Sequence, residues 1–376
     1  MVRAAMRRLA LLASLPVALA LGVAACSSDP SPAPVTATDA GADQGSPPVP
    51  EAGVPDAGDA GGPQVPIPDA KSIEFAAKSK LPAGDSIVFN DWNSQPNAVW
   101  AIKPDGTAPT EIFRARRVWA MGASRSGNAI AFSSEDPFAE QRYGITISDA
   151  IQQTWIYDDA TQAVRFSGIG NVNDECHHFA PGDTALWVCR RYDFANGGAN
   201  KGWRLGRMDP TTFAFTFETP EEAAGKYVLA PQVTPDGKTL YYYRIEVTPP
   251  NTQTYTIVKR ALPSGAPEVV RDKAGRLALS PDGQTMAYVD YGAGRAVMVA
   301  RVDGTGTPVK ITNAEGSRLT FSPDGTQVAY LADDKAANCQ HIDVVAADGS
   351  TAATPVRVHD CAKAKDFITQ LAWIRR

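Results

Sequence analysis

The sequence predicts an all-β fold: a six-bladed β-propeller of four-stranded antiparallel blades over residues 71–376. Three observations carry this. A turn phrase recurs with its glycine (or Asp183 in its place) at 84, 127, 183, 237, 283 and 325, at intervals of 43, 56, 54, 46 and 42 residues. A period of roughly 40–50 residues built from strands and turns marks a propeller. A second turn follows in each repeat, at Asp105-Gly106, Asp159-Ala160, Asp209-Pro210, Ser264-Gly265, Asp303-Gly304 and Asp348-Gly349. Two hairpins per repeat make one four-stranded blade. Finally, no long amphipathic helical pattern occurs after residue 71.

The first turn reads Pro323-Asp324-Gly325, Pro281-Asp282-Gly283 and Pro235-Asp236-Gly237, with weaker copies at Pro181-Gly182-Asp183, Ser126-Gly127 and Ala83-Gly84. Proline presets φ for the first central turn position, aspartate bonds nearby amides, and glycine takes the positive φ that a Cβ would resist. Three residues after the glycine position stands an aliphatic residue: Ile87, Ile130, Leu186, Leu240, Met286 or Val328. Five after it stands a large apolar residue: Phe89, Phe132, Val188, Tyr242, Tyr288 or Tyr330. A spacing of two puts each pair on one strand face, against the neighbouring blade. Short apolar strands flank the second turns, among them Ala98–Ile102, Thr154–Tyr157, Tyr255–Val258, Val297–Val302 and Ile342–Ala346. At the C-terminus, Leu371-Ala372-Trp373 resembles a first strand with no turn phrase after it. It is read as the inner strand of the blade begun by Ile87–Phe89, with Ser72–Ala76 as an extra edge. The rival places Ser72–Ala76 in that inner position.

Residues 1–70 are of another kind. Arg3, Arg7 and Arg8 precede an apolar run from Leu9 to Ala25, too short and interrupted for a comfortable bilayer span and suited to a signal peptide. The run ends Val23-Ala24-Ala25-Cys26, which resembles the bacterial lipobox. That resemblance implies cleavage before Cys26, acylation of Cys26, and anchorage to a lipid bilayer. By resemblance to enterobacterial lipoprotein sorting, Ser27 after the cysteine implies the outer membrane over the inner, so the location expected is the cell envelope. Residues 27–70 hold ten Pro, six Gly and seven acidic residues with no Lys, Arg or aromatic, which reads as an extended tether. The division is therefore 1–25 signal, 26–70 lipidated cysteine and tether, 71–376 propeller.

The Ser/Thr-Pro-Asp-Gly-x-x-aliphatic-Ala-Tyr phrase, at Ser280–Tyr288 and Ser322–Tyr330 with Thr234–Tyr242 close behind, is similar to the TolB-type propeller repeat. The same repeat occurs in propellers of prolyl-oligopeptidase-like enzymes. The family's namesake carries a separate domain ahead of its propeller. The tether stands in that place here, so the namesake's role is not implied. A hydrolase reading lacks its elbow: Gly122-Ala123-Ser124-Arg125-Ser126 misses the final glycine of Gly-x-Ser-x-Gly. No hydrolase domain is expected after the sixth blade, and peptidase activity is therefore not expected.

The formal net charge of -5 argues against a nucleic-acid partner. Removing the three signal arginines and the seven tether acids leaves the body near -1, since -5 - 3 + 7 = -1. Four histidines offer little for metal or acid–base work, and adjacent His177 and His178 point to opposite faces of a strand. No catalytic residue, cofactor or metal is expected, and the chain is read as a monomer. The function expected is a non-catalytic binding or scaffold module for an envelope protein or glycan partner. The alternative is a propeller enzyme acting on a polysaccharide, a lyase or glycoside-acting protein, with its site at the channel mouth. Two or more carboxylates or a histidine cluster there would favour the enzyme. The expected binding face is the side of the long B–C segments Ser133–Ile151 and Arg190–Lys201, with Phe138, Arg142, Tyr143, Arg191, Tyr192 and Phe194. Exposed aromatics with arginine are what interface centres favour.

Four cysteines remain beside Cys26. In an exported chain an even count reads as disulfides. Cys176 and Cys189 flank the turn at Gly182-Asp183, and Cys339 and Cys361 flank Asp348-Gly349. Each pair falls opposite across an antiparallel hairpin, so the expected bonds are Cys176–Cys189 and Cys339–Cys361. A bulge that shifts either register would point one sulfur to the wrong face. The competing reading is four buried thiols.

Overall fold

The computed structural model describes residues 74–135, 152–168, 172–192, 202–223, 225–250, 252–351, 354–364 and 367–376. These form six antiparallel blades. The first comprises, from inner to outer strand, Ile368–Arg375, Asp85–Asp91, Asn97–Ile102 and Thr110–Ala115. The second is Met121–Ala123, Ala129–Glu135, Gln152–Asp158 and Ala163–Phe166; the third is Val172–Phe179, Leu186–Tyr192, Arg204–Met208 and Phe215–Phe217. The fourth is Lys226–Val233, Thr239–Thr248, Thr252–Ala261 and Glu268–Asp272. The fifth begins Ala274–Leu279, Thr285–Asp290 and Ala296–Arg301, and the last ends with Gln327–Asp334, Cys339–Ala346 and Val356–His359. Strand Val309–Phe321 serves both: its start pairs with Ala296–Arg301, and its end becomes the inner strand of the sixth blade.

The turn chemistry is as the residue types dictate. Gly127, Gly237, Gly283 and Gly325 have φ of 68°, 71°, 69° and 75°, and Asp183 takes 55° in the glycine's place. In the full phrase the Ser280 hydroxyl donates to Asp282 Oδ1 (2.6 Å) and accepts from the Thr285 amide (3.0 Å), tying both sides of the hairpin. Thr234 and Ser322 repeat the arrangement.

All twelve residues placed three and five after the turn are buried, none more than 3% exposed. Each pair packs against the preceding blade: Ile87 and Phe89 on the sixth, Ile130 and Phe132 on the first, Val328 and Tyr330 on the fifth. The core is therefore a ring of inter-blade seams. Sheet edges are a liability, and closing the circle removes the inner ones.

The C-terminal strand makes that closure. Ile368–Arg375 pairs with Asp85–Asp91 through Ser86↔Ile374, Ile87↔Trp373 and Phe89↔Leu371. The N-terminal piece Ala76–Ala77 lies on the outer edge, against Arg114 and Phe113. The inner position thus belongs to the C-terminus, and the rival reading is excluded.

Cys339 and Cys361 are joined (S–S 2.07 Å). Cys361 lies just past the hairpin, in the single helical turn Cys361–Ala364, so the bond pins that turn to the sixth blade. The other expected bond is absent: Cys176 and Cys189 remain thiols. The cause is a bulge in strand Val172–Phe179. Its register runs Trp187↔His178 and then Cys189↔Glu175, so Cys176 gains no direct partner position, and its φ is 61°.

Candidate functional site

The bulge at Cys176 is one of a set. Ladder register shifts also fall at 230–231, 276–277 and 318, and at 369–370 in the closing strand. Cys176, Ala230, Arg276 and Arg318 take φ of 61°, 51°, 54° and 42°. A left-handed non-glycine residue costs about 1–3 kcal/mol and bulges re-aim side chains, so such sites collect where function needs them. Each of the four stands seven residues ahead of its turn position, at 183, 237, 283 and 325. Ala120 holds the same place before Gly127.

These positions meet at the centre of the ring. A cavity of about 100 Å³ is lined from all six inner strands or their lead-ins, and its polar members are Cys176, His177, Tyr243, Arg276, Arg318 and Gln370. Arg318 Nε donates to the Thr369 carbonyl at 2.9 Å, and the Arg276 guanidinium lies 5.9 Å from the Tyr243 ring centroid. Among the groups gathered are two guanidinium charges, an arrangement that suits an anion.

Behind the cavity, between the second and third blades, lies a polar network. Arg190 grips Asp174 through Nε–Oδ1 (2.6 Å) and Nη2–Oδ2 (2.8 Å), with both side chains 0% exposed. The Thr154 hydroxyl donates to Asp174 Oδ2 (2.8 Å) and lies 3.0 Å from His177 Nε2. That hydroxyl has one proton, given to Asp174, so the pattern assigns the His177 proton to Nε2 and a lone pair to Nδ1.

Burial pushes the His177 imidazole down to about 4, Arg190 pushing the same way and Asp174 opposing. Burial and Arg125 push His178 down to about 3. Both folded values lie below the unfolded value, so the unfolded chain binds more protons in acid. Stability is therefore whole above about pH 6.5 and falls as pH drops toward 4, by up to roughly 1.4 kcal/mol per pH unit per histidine. Asp324 is held down at about 2 by the Ser322 hydroxyl, so it stays ionised across this window. Urea titrations at pH 7.5 and 5.0 should therefore differ by roughly 2 kcal/mol less in His177→Gln than in the wild type. Equal differences would refute the assignment.

The same side of the ring as the B–C turns carries aromatic pairs. Trp92 and Trp119 lie 4.2 Å apart between ring centroids, and Tyr255 and Tyr291 stack at 3.9 Å and 14°. Arg117 lies 5.7 Å from the Trp119 ring, and Arg116 and Arg117 both bind the buried carboxylate of Glu135 at 2.9 and 3.0 Å.

Comparison with solved structures bears on the architecture. TolB from Acinetobacter baumannii is 16% identical at a TM-score of 0.56, covering 80% of this chain and 68% of its own. The fold is that of a TolB-like propeller. A putative TolB from Agrobacterium tumefaciens is 14% identical (TM-score 0.47, 72% and 87% covered). An oligogalacturonate lyase from Vibrio parahaemolyticus is 13% identical (TM-score 0.43, 72% and 72% covered). No family model and no curated protein matches the chain.

The residues expected at the binding face divide. Cys26, the signal and tether, and Phe138, Arg142, Tyr143 and Phe194 lie outside the described residues. Tyr192 ends its strand opposite Val172. Arg191 is a correction: it is 7% exposed, with its guanidinium 5.1 Å from the Trp203 ring centroid, and burial lowers its pKa against the opposing pull of Glu175. His178 is partly exposed as a residue, but its Nε2 atom is buried. Arg276, Arg318, Gln370 and the aromatic pairs escaped the sequence reading.

Proposed function

We propose that this chain is an envelope-anchored lipoprotein whose propeller is a non-catalytic binding module. The partner is a protein or glycan, met by the face that carries the B–C turns and the channel mouth. The observation that supports this most is the repeated bulge, which aims Arg276 and Arg318 at a shared central cavity on left-handed backbone. Side chains held this way are pre-organised for recognition, and the aromatic pairs beside them supply rigid contact area. The lipobox-like Val23-Ala24-Ala25-Cys26 and the tether that follows support a disc held near a membrane with freedom to reach its partner.

The test is cross-linking and capture from the native envelope, with a glycan array beside it. The full chain is expected to retain a defined partner or glycan, and Trp119→Ala with Tyr291→Ala to weaken retention at least tenfold. Capture that is indifferent to these substitutions would place the binding face elsewhere. Anchoring has its own measurement. Cys26→Ala is expected to leave the membrane fraction or accumulate unprocessed, and undiminished membrane retention would overturn it.

A further inference from the structure

Resting on that binding-module reading, we propose that the central cavity is a carboxylate pocket for the tip of an acidic side chain on a partner protein. The argument begins with charge. Arginine keeps its proton at any physiological pH, and its planar fork matches a carboxylate. Arg318 and Arg276 enter the cavity from adjacent blades, and Gln370 adds an amide from the next. None of the described residues lining the cavity is Asp or Glu. The two carboxylates next in the chain to the lining residues Cys176 and His177 are turned to other arginines: Asp174 is gripped by Arg190, and the charge of Glu175 acts on Arg191. A concave, walled site of one sign of charge focuses potential toward an anion.

Geometry comes next. The bond from Arg318 Nε to the Thr369 carbonyl fixes the guanidinium plane and leaves its terminal nitrogens for a ligand. Arg318, Cys176 and Ala230 keep partial exposure, so the cavity communicates with solvent. Its size decides the occupant. A cavity that takes benzene measures about 150 Å³, and this one is about 100 Å³. A pyranose ring carrying a uronate is too large to enter. A carboxylate on one or two methylenes fits, which is the end of Asp or Glu.

The experiment titrates full-length protein with three probes: the capped peptide acetyl-Gly-Glu-Gly-amide, its Gln counterpart, and methyl galacturonate. Binding is read by calorimetry and by protection of Cys176 from alkylation. The Glu peptide is expected to bind in the millimolar range and to slow Cys176 labelling, with the Gln peptide at least tenfold weaker. Arg318→Gln should lose tenfold or more, and Arg318→Lys should recover part of that loss because it keeps the charge. Protection of Cys176 in the unsubstituted protein holds the test open even if a variant misfolds. Equal binding of the Glu and Gln peptides, or unchanged binding in a folded Arg318→Gln, overturns the pocket. Galacturonate binding more tightly than the Glu peptide overturns the acidic side chain as occupant. If envelope capture persists while the peptide fails, the pocket falls and the binding module stands. If the peptide binds and nothing is captured, the reverse holds.

Discussion

A chain lacking residues 368–376 is expected to show no cooperative unfolding transition. The deletion removes the inner strand of the first blade, with Ile368, Leu371, Trp373 and Ile374 all at most 8% exposed. Burying a large apolar side chain contributes about 1.5–3 kcal/mol, so four such losses rival the roughly 5–15 kcal/mol that holds a domain together. Polar ties leave with them. Asn90 Oδ1 accepts from the Gln370 amide at 2.9 Å, and Arg376 reaches Asp159, a 0%-exposed carboxylate, at 2.8 Å. Asp159 in turn accepts from the Leu81 amide, so the C-terminus also fastens the start of the propeller to the second blade. Without it the ring opens and Asp85–Asp91 becomes a bare edge facing the channel, a template for aggregation. Circular dichroism melts decide the matter. A truncated protein whose melting temperature stays within about 5 °C of the parent would refute closure as the source of stability.

What could be read from sequence, and what could not, divides along one structural feature. Turn positions were legible because a positive φ demands glycine, and Asp183 could stand in because aspartate tolerates that region. Ring closure was legible because Leu371-Ala372-Trp373 carries a strand's pattern with no turn phrase behind it. The inner-strand bulge was not legible, because period-two alternation assumes an unbroken ladder. The apolar runs Leu277–Leu279 and Leu319–Phe321 begin one residue after Arg276 and Arg318, so inner strands drawn from apolar pattern alone miss the two cations that define the cavity. A signal did exist. Gly275-Arg276-Leu277 and Ser317-Arg318-Leu319 repeat an Arg-Leu pair at a fixed seven residues before the turn glycine. The same bulge explains the two cysteine pairs. Cys339 and Cys361 lie in the outer part of a blade, where pairing survived, whereas Cys176 sits on the inner strand at the bulge itself. Arg191 was misplaced for a different reason. Polar residues at a strand end beside a long loop read as surface, but here they cluster inward with Glu175 and Trp203.

Breaking the Asp174–Arg190 pair is the second large effect expected. Both side chains are 0% exposed, the contact is bidentate, and the guanidinium also lies 3.9 Å from the Phe215 ring centroid. Two buried charges pay heavily in lost hydration, and their attraction with good geometry offsets that cost. Removing one partner leaves the other charge in a dry seam. Arg190→Met or Asp174→Leu alone is therefore expected to destabilise the propeller by about 3–5 kcal/mol. Removing both should cost much less than the sum of the two, because no orphan charge remains and apolar atoms fill the space. A double-mutant cycle in urea measures the difference as a coupling free energy, expected at roughly 2–3 kcal/mol, the upper part of the range for residues in contact. Thr154 makes the outcome specific to this network. In Asp174→Leu the Thr154 hydroxyl loses its acceptor and is released to donate to His177 Nε2, favouring the opposite tautomer and placing a proton on Nδ1. Nitrogen chemical shifts of the His177 ring should therefore exchange their protonated and unprotonated positions in Asp174→Leu and keep the parent pattern in Thr154→Ser. Single variants that cost less than about 1 kcal/mol, or an additive cycle, would show that the pair contributes no more than an exposed surface bridge does.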